Sequence, residues 1–417
     1  MTFPVTLNAV INFSSGPGFS QALILDTGQL DVNVLADAAS VIVDVSNVVT
    51  SVQTQRGRNL IADQFQAGTL TLVIADETGA FNPMNSAGPY YNLLTPMRKV
   101  LITATYNSTV YPIFAGYITG FQTTIPQNIY GGDLAYTTIT AVDAFRLANL
   151  ANITTVPAAI AGDKSGTRVN QILDVISWPT SMRDVSLATT ETTMQADPGV
   201  ARTALNAMLV VSTSEYGALY VDATGSFVFK SRSECASSVV GTAVVFADNG
   251  TGIDYFDARW LLNDSLVYNQ ADITATGLAT QSATDATSVA QYFAHTYTQT
   301  NLLMQTTGDA LNLARAYVAS RAQTSIRCDL LTLNLYSANY TAGITAALAL
   351  DFFDPVTIQT TQPGNTSITK TEQIFGVAHH ITPGSWTVDF TTMEALIDSY
   401  ILDSALYGVL DQNVLSY

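Results

Sequence analysis

Charge is scarce in this sequence: Asp, Glu, Lys and Arg make up 12% of its 417 residues, about half of the roughly 25% usual in a soluble domain. Thr, Ser, Ala and Asn stand in their place, as in "TTETTMQ" (189–195) and "QTTGDALNLARA" (305–316). Such residues suit surfaces that stay covered, so the composition points to subunit packing. Disorder is excluded, because hydrophobic residues reach 47% and mean hydropathy is +0.23, whereas disordered chains are poor in apolar residues and dense in charge.

Basic residues are scarcer still, 16 against 33 acidic, for a net charge of −17. Affinity for nucleic acid comes from Lys and Arg neutralising phosphates, so a nucleic-acid-binding role is excluded. Passage of DNA is not, since an acidic wall repels the phosphate backbone over a Debye length of roughly 8 Å. The only cysteines, Cys235 and Cys328, make neither a disulfide framework nor a thiolate metal cage. Both are read as free, buried thiols. No apolar run approaches the length of a membrane span, and the opening "MTFPVTLNAV" lacks the basic and apolar regions of a signal peptide. The chain is therefore expected to be made in the cytoplasm and not inserted in a membrane.

What is present is strand periodicity. Residues 1–150 form a first β unit: "TLTLVIADETGAF" alternates Leu70, Leu72 and Ile74 with Thr69, Thr71 and Val73 before a turn at Asp76–Gly79. "KVLITATYNSTVYPIFAGYITGF" reads as a hairpin around Asn107-Ser108, and "LAYTTITAVDAF" follows the breaker cluster Pro126–Gly132. Short strands with such turns predict a barrel or sandwich. Residues 151–252 are α+β. One helix places Val169, Ile172, Leu173 and Ile176 on a face; a second is expected to start at Asp197-Pro198 and run to Glu215; a hairpin turns at Ala223–Gly225. Residues 253–395 return to strands with a helix at "GDALNLARAYVASRA", and 396–417 form a C-terminal tail. The fold class is mainly β with an α+β middle region. "RKVLITA", "YPIFAGYITGF" and "TTITAVDAF" recur in order as "DPVTIQT", "EQIFGVAHHI" and "WTVDFTTMEA", with Gly116 set against Gly376. That repeat predicts two related barrels, the glycines marking close backbone approach or a bend.

Residues 56–121 resemble the amino-terminal region of hub and minor tail proteins of long-tailed bacteriophages. The resemblance rests on Arg56-Gly57-Arg58, Phe65-x-Ala67-Gly68-Thr69, the turn from Asp76 through Gly79 to Pro83, Pro89-Tyr90 and Phe114-x-Gly116. It continues more faintly through "SEYGALYVDATGSFVFKSR" and "ITPGSWTVDFTTMEAL". It implies two tail-tube-like β-barrels with an intervening domain and a homo-oligomeric ring of three copies. A hexameric distal ring is one alternative, and a tail-associated cell-wall hydrolase or carbohydrate-binding adhesin is another. The resemblance also implies a tail-tube ring above, fibre or tip proteins below, and a place at the distal end of the virion tail, with DNA passing through unbound.

The residues give no catalytic constellation, cofactor site or metal site. His379 and His380 are neighbours on a predicted strand and point to opposite faces, so they do not share a metal; these two and His295 are expected to be structural. Neither cysteine sits in a nucleophile motif. "GNTSITKT" (364–371) has Thr369 where a phosphate loop needs glycine. The acid pairs Asp76/Glu77 and Asp351/Asp354 are read as turn-forming or channel-facing rather than as calcium or glycosidase carboxylates. Arg56 and Arg58 are expected to pair with acids of a neighbouring subunit. Trp178, Trp260 and Trp386, the obvious sugar-stacking residues, are expected in the core.

Overall fold

The computed structural model describes residues 4–14, 16–18, 41–59, 64–126, 135–188, 191–237, 242–336 and 340–394. The C-terminal tail and most of the breaker cluster after Pro126 lie outside the described residues.

The first β unit holds β1 (Thr6–Asn12), β2 (Ile42–Asp44), β3 (Val49–Asn59), β4 (Gln64–Ala75), β5 (Lys99–Tyr106), β6 (Thr109–Thr124) and β7 (Tyr136–Val142). Leu70, Leu72 and Ile74 of β4 are buried and Thr69, Thr71 and Val73 face outward, as their alternation requires. Asn107 and Ser108 both take positive φ, 47° and 64°. That is the two-residue turn whose twist matches its flanking strands.

The middle region holds α1 (Phe145–Leu150), β8 (Asn152–Ile153), α2 (Ser165–Val175), β9 (Arg183–Val185), β10 (Arg202–Thr203), α3 (Ala204–Glu215), β11 (Ala218–Val221), β12 (Phe227–Lys230) and α4 (Arg232–Ser237). The start of α3 corrects the sequence reading. Thr203, not Asp197, caps it by accepting the Asn206 N–H. The intervening chain is held otherwise: Arg202-Thr203 pairs with Asn152-Ile153, and Gly199 takes φ +63°. Asp197 accepts the N–H groups of Val156 and Gly199 instead.

The last region holds β13 (Val244–Ala247), β14 (Asp257–Leu261), β15 (Gln270–Ala275), β16 (Gln281–Thr284), α5 (Ala286–Tyr292), β17 (Thr296–Leu302), α6 (Thr307–Arg321), β18 (Arg327–Asn334), α7 (Thr341–Ala349), β19 (Pro355–Thr361), β20 (Ser367–Thr382) and β21 (Ser385–Met393). Strands β15, β16 and β17 make a separate sheet on which α6 packs, with Ile273, Leu313 and Val318 in a core of their own.

Thirteen strands form one sheet, in the order β14-β18-β21-β20-β3-β4-β7-β6-β5-β1-β2, with β19 on β20 and β13 on β19. Within it a five-strand pattern occurs twice. Chain order β3, β4, β5, β6, β7 becomes sheet order β3-β4-β7-β6-β5, and chain order β14, β18, β19, β20, β21 becomes β14-β18-β21-β20-β19. The repeat read from three strands thus extends to five, but its register corrects the sequence reading: the bulge at Ile374/Gly376 of β20 matches the bulge at Ile118/Gly120 of β6, so Gly376 answers to Gly120 and not to Gly116. Among the described residues neither set closes into a barrel. Edge strand β3 takes β20 of the other set as its neighbour rather than folding back on its own. One apolar core runs under both sets, joining Leu72, Ile102 and Phe114 to Leu331, Phe375 and Val388.

Candidate functional site

The candidate site lies where the two sets join. Here β3 and β20 run antiparallel, and Gly57 stands opposite Gly376. A Cβ on Gly57 would fall 2.8 Å from the Gly376 Cα and 3.0 Å from the Phe375 carbonyl oxygen. Glycine at 57 is therefore demanded by backbone contact, whereas a Cβ on Gly376 would meet the Thr391 side chain at 3.0–3.1 Å. Beside them the Arg56 guanidinium, 6% exposed, donates to both carboxylate oxygens of Asp351 at 3.0 and 3.3 Å and lies 4.9 Å over the Phe352 ring. The expected acid from a neighbouring subunit is thus supplied by the same chain, from the loop before β19. Arg58 lies over Phe65 and Phe375, at 5.8 and 5.4 Å. Aromatic rings gather there from three regions: Phe65 from the first, Tyr220 from the middle, Phe352 and Phe353 from the last.

Gly68 and Gly116 approach the same place from β4 and β6. The Gly68 N–H donates to the carboxylate of Asp143, and a Cβ on Gly68 would meet that carboxylate at 2.9 Å and the Arg56 side chain at 3.1 Å. A Cβ on Gly116 would meet the Phe114 ring at 2.6 Å and the Val142 carbonyl oxygen at 2.8 Å. Asp143 also accepts the Phe145 N–H at 2.9 Å, which fixes the start of α1. Burial pushes the Asp143 carboxyl up to about 7, against its two N–H donors and the charge of Arg56. Sequence reasoning passed over Asp143. Its signal is a lone acid at the end of an apolar strand, just before a helix.

Of the remaining candidates, Asp76 and Gly79 stand apart in a turn. Asp76 accepts the N–H of Phe81 at 3.0 Å and the Thr137 hydroxyl at 3.1 Å, its carbonyl accepts the Gly79 N–H, and Gly79 takes φ +65°. His379 is buried, accepts the Trp386 indole N–H at 3.3 Å and is pushed down to about 3 by burial. His380, on the opposite face, lies 3.4 Å from Asp389. "GNTSITKT" covers the end of the β19–β20 hairpin turn and the first residues of β20, not a strand-to-helix loop. Both thiols are buried and pushed up to about 12 by burial, far from the values of nucleophilic cysteines. Trp178 and Trp386 are buried, and Trp260 is half-buried and donates to Thr360.

Glu372 on β20 is 1% exposed, and burial pushes its carboxyl up to about 7 from 4.5. The folded chain binds this proton before the unfolded one does. The stability gained is full below about 4.5 and is lost as pH rises through about 7. Wild type should therefore gain about 2 kcal/mol over Glu372→Gln between pH 8 and pH 5. Denaturant titrations at both pH values check this; an unchanged difference would show a carboxylate ionised throughout. His379, kept neutral, acts in the opposite direction in both proteins and cancels.

The outer face of the joined sheet is polar and almost uncharged. One row crosses six strands as Asn334, Thr387, His380, Gln53, Thr71 and Thr140, and the next as Asp257, Thr332, Asp389, Ala378, Gln55 and Thr69. Formal charge in these rows is confined to Asp389, beside the His380 imidazole, and edge residue Asp257, with Arg259 held nearby by Asp329. Above the glycine pair the face dips into a groove of about 420 Å³ flanked by Gln53, Gln55, Gln66 and His380, with Asp389 and parts of Arg56 and Arg58 also in its lining.

No protein-family model and no curated protein matches the chain. Among solved structures, the tail protein from Neisseria meningitidis MC58 aligns with a TM-score of 0.59 at 9% identity, over 95% of this chain and 98% of that one. The 43 kDa tail protein of prophage MuSo2 from Shewanella oneidensis aligns at 0.51 and 12% identity, over 84% of this chain and 95% of that one. At such identities the likeness is one of fold, and by that measure the mainly β chain, with its doubled strand set and α+β middle region, has the fold of these tail proteins.

Proposed function

We propose that the chain is a non-enzymatic structural protein at the distal end of a phage tail, a ring-forming hub that ends the tube. In this reading it anchors adhesion or fibre proteins and leaves a path for DNA. The doubled five-strand set carries the proposal. Three copies would present six like units, matching a six-fold tube through a closed cyclic interface. The polar outer face supports the DNA path, because a wall of Thr, Gln and Asn offers few cations to hold a phosphate. The tail-tube ring would lie on one side of the hub and fibre or tip proteins on the other.

Mass in solution tests the reading. At micromolar concentration the chain is expected to run as a closed trimer by native mass spectrometry. Six chains would favour the distal-ring alternative, and a stable monomer would count against intrinsic ring closure.

A further inference from the structure

We propose that β14 of one copy pairs antiparallel with the Thr119–Thr124 end of β6 in the next copy, repeating between chains the joint that β3 and β20 make within one. The inference rests on the ring reading and names its interface. In each set the first strand lies at an edge, β3 in one and β14 in the other. In each set the long fourth strand is shared along its length. The early part of β6 pairs with β5 and the later part with β7, as β20 pairs with β19 and then β21. On β20 the later part, Gly376–Ile381, also takes β3 on its other side. On β6 the matching part has β7 on one side and, among the described residues, no strand on the other.

Burial follows this difference. His379 and Ile381, under the joint, are 3% and 5% exposed, whereas Phe121 and Thr123 of β6 are half-exposed. Val52, Thr54 and Arg56 of β3 are buried, whereas Ala258 and Trp260 of β14 are half-exposed. Phe256 and Leu262, flanking β14, are 69% and 59% exposed. An edge strand with apolar flanks is a ready template for pairing with another chain, and at the ends of β14 the exposed Phe256 and Leu262 go beyond what the charges of Asp257 and Arg259 can shield. The β6 stretch "TGFQTT" carries no charge to oppose Asp257 or Arg259. The joint uses different surfaces on its two sides, so it propagates head to tail and closes as a ring. It also keeps the polar faces of successive copies on one side, as it does within the chain, where His380 stands beside Gln53.

Paired cysteines test the joint. Asp257→Cys or Arg259→Cys is combined with Gln122→Cys or Thr124→Cys in the full chain; all four positions lie on the polar face and the native thiols are buried. At least one pairing should give, on mild oxidation, a covalent species with the ring's full number of chains, and the single-cysteine chains should give none. Rings of unchanged mass that stay uncrosslinked in all four pairings would overturn the joint and leave the ring. A chain that stays monomeric would overturn both.

Discussion

Gly57→Val is expected to remove about 3 kcal/mol of stability or more, at the upper end of what overpacking costs. Its Cβ would meet backbone, the Gly376 Cα at 2.8 Å, and backbone held in a ladder cannot rotate away as a side chain can. The only relief is to part the two strand sets, which also strains the Arg56–Asp351 pair beside them. Gly376→Ala should be milder, because its Cβ would meet the Thr391 side chain at 3.0–3.1 Å and that side chain can give. Thermal and denaturant unfolding of the two variants checks the order. Equal losses, or a Gly57→Val chain as stable as wild type, would mean that the seam adjusts without parting.

If the proposed DNA path runs along the outer face, lysine at Gln53 and Gln55 should leave folding and oligomer mass unchanged and slow DNA release. Both side chains are exposed on the outer face, opposite His380 and Ala378. A ring multiplies each substitution by its number of chains, and a handful of phosphate contacts is enough to change affinity by roughly a thousandfold over a modest change in salt. Particles carrying the double variant are expected to lose DNA-release efficiency by about a hundredfold at low salt and to recover as salt is raised. Glutamate at the same positions should leave release near the wild-type level. Release that ignores both charge and salt would place this face away from the DNA path.

The strands were legible because their signals are local. Asn107-Ser108 marks one hairpin, Ala223–Gly225 another, and the alternation in β4 fixes its buried face. The order of the third-to-fifth strands of each set could be matched for the same reason, but not their register: "PIFAGY" and "QIFGVA" each carry a glycine within an apolar run, and it is Gly120, four residues on, that answers to Gly376. The first two strands of the second set could not. Strands β14 and β18 are separated by the β15–β17 unit, so nothing nearby marks them as partners. Helix α7, "TAGITAALA", escaped because a short, uniformly apolar helix has no polar face to reveal its period. The Arg56–Asp351 pair spans 295 residues and leaves no mark on either local sequence. The seam was invisible likewise, although Gly57 stood between two quoted arginines. Only contact with Gly376 explains why glycine is needed there.

That seam also sets an order of events during synthesis. Strands β3 and β4 are neighbours in the chain and can pair as soon as both leave the ribosome, but the other side of β3 waits for a partner more than three hundred residues downstream. Long-range pairing of this kind is slow and leaves an edge open meanwhile. The open edge is the backbone side of β3 that later pairs with β20; it ends at Gly57, between Arg56 and Arg58, and charge at a bare edge discourages pairing with strangers. A chain cut short before β20 would keep that edge exposed. Only completion of the polypeptide through β20 closes that edge, so the two strand sets become one sheet last of all.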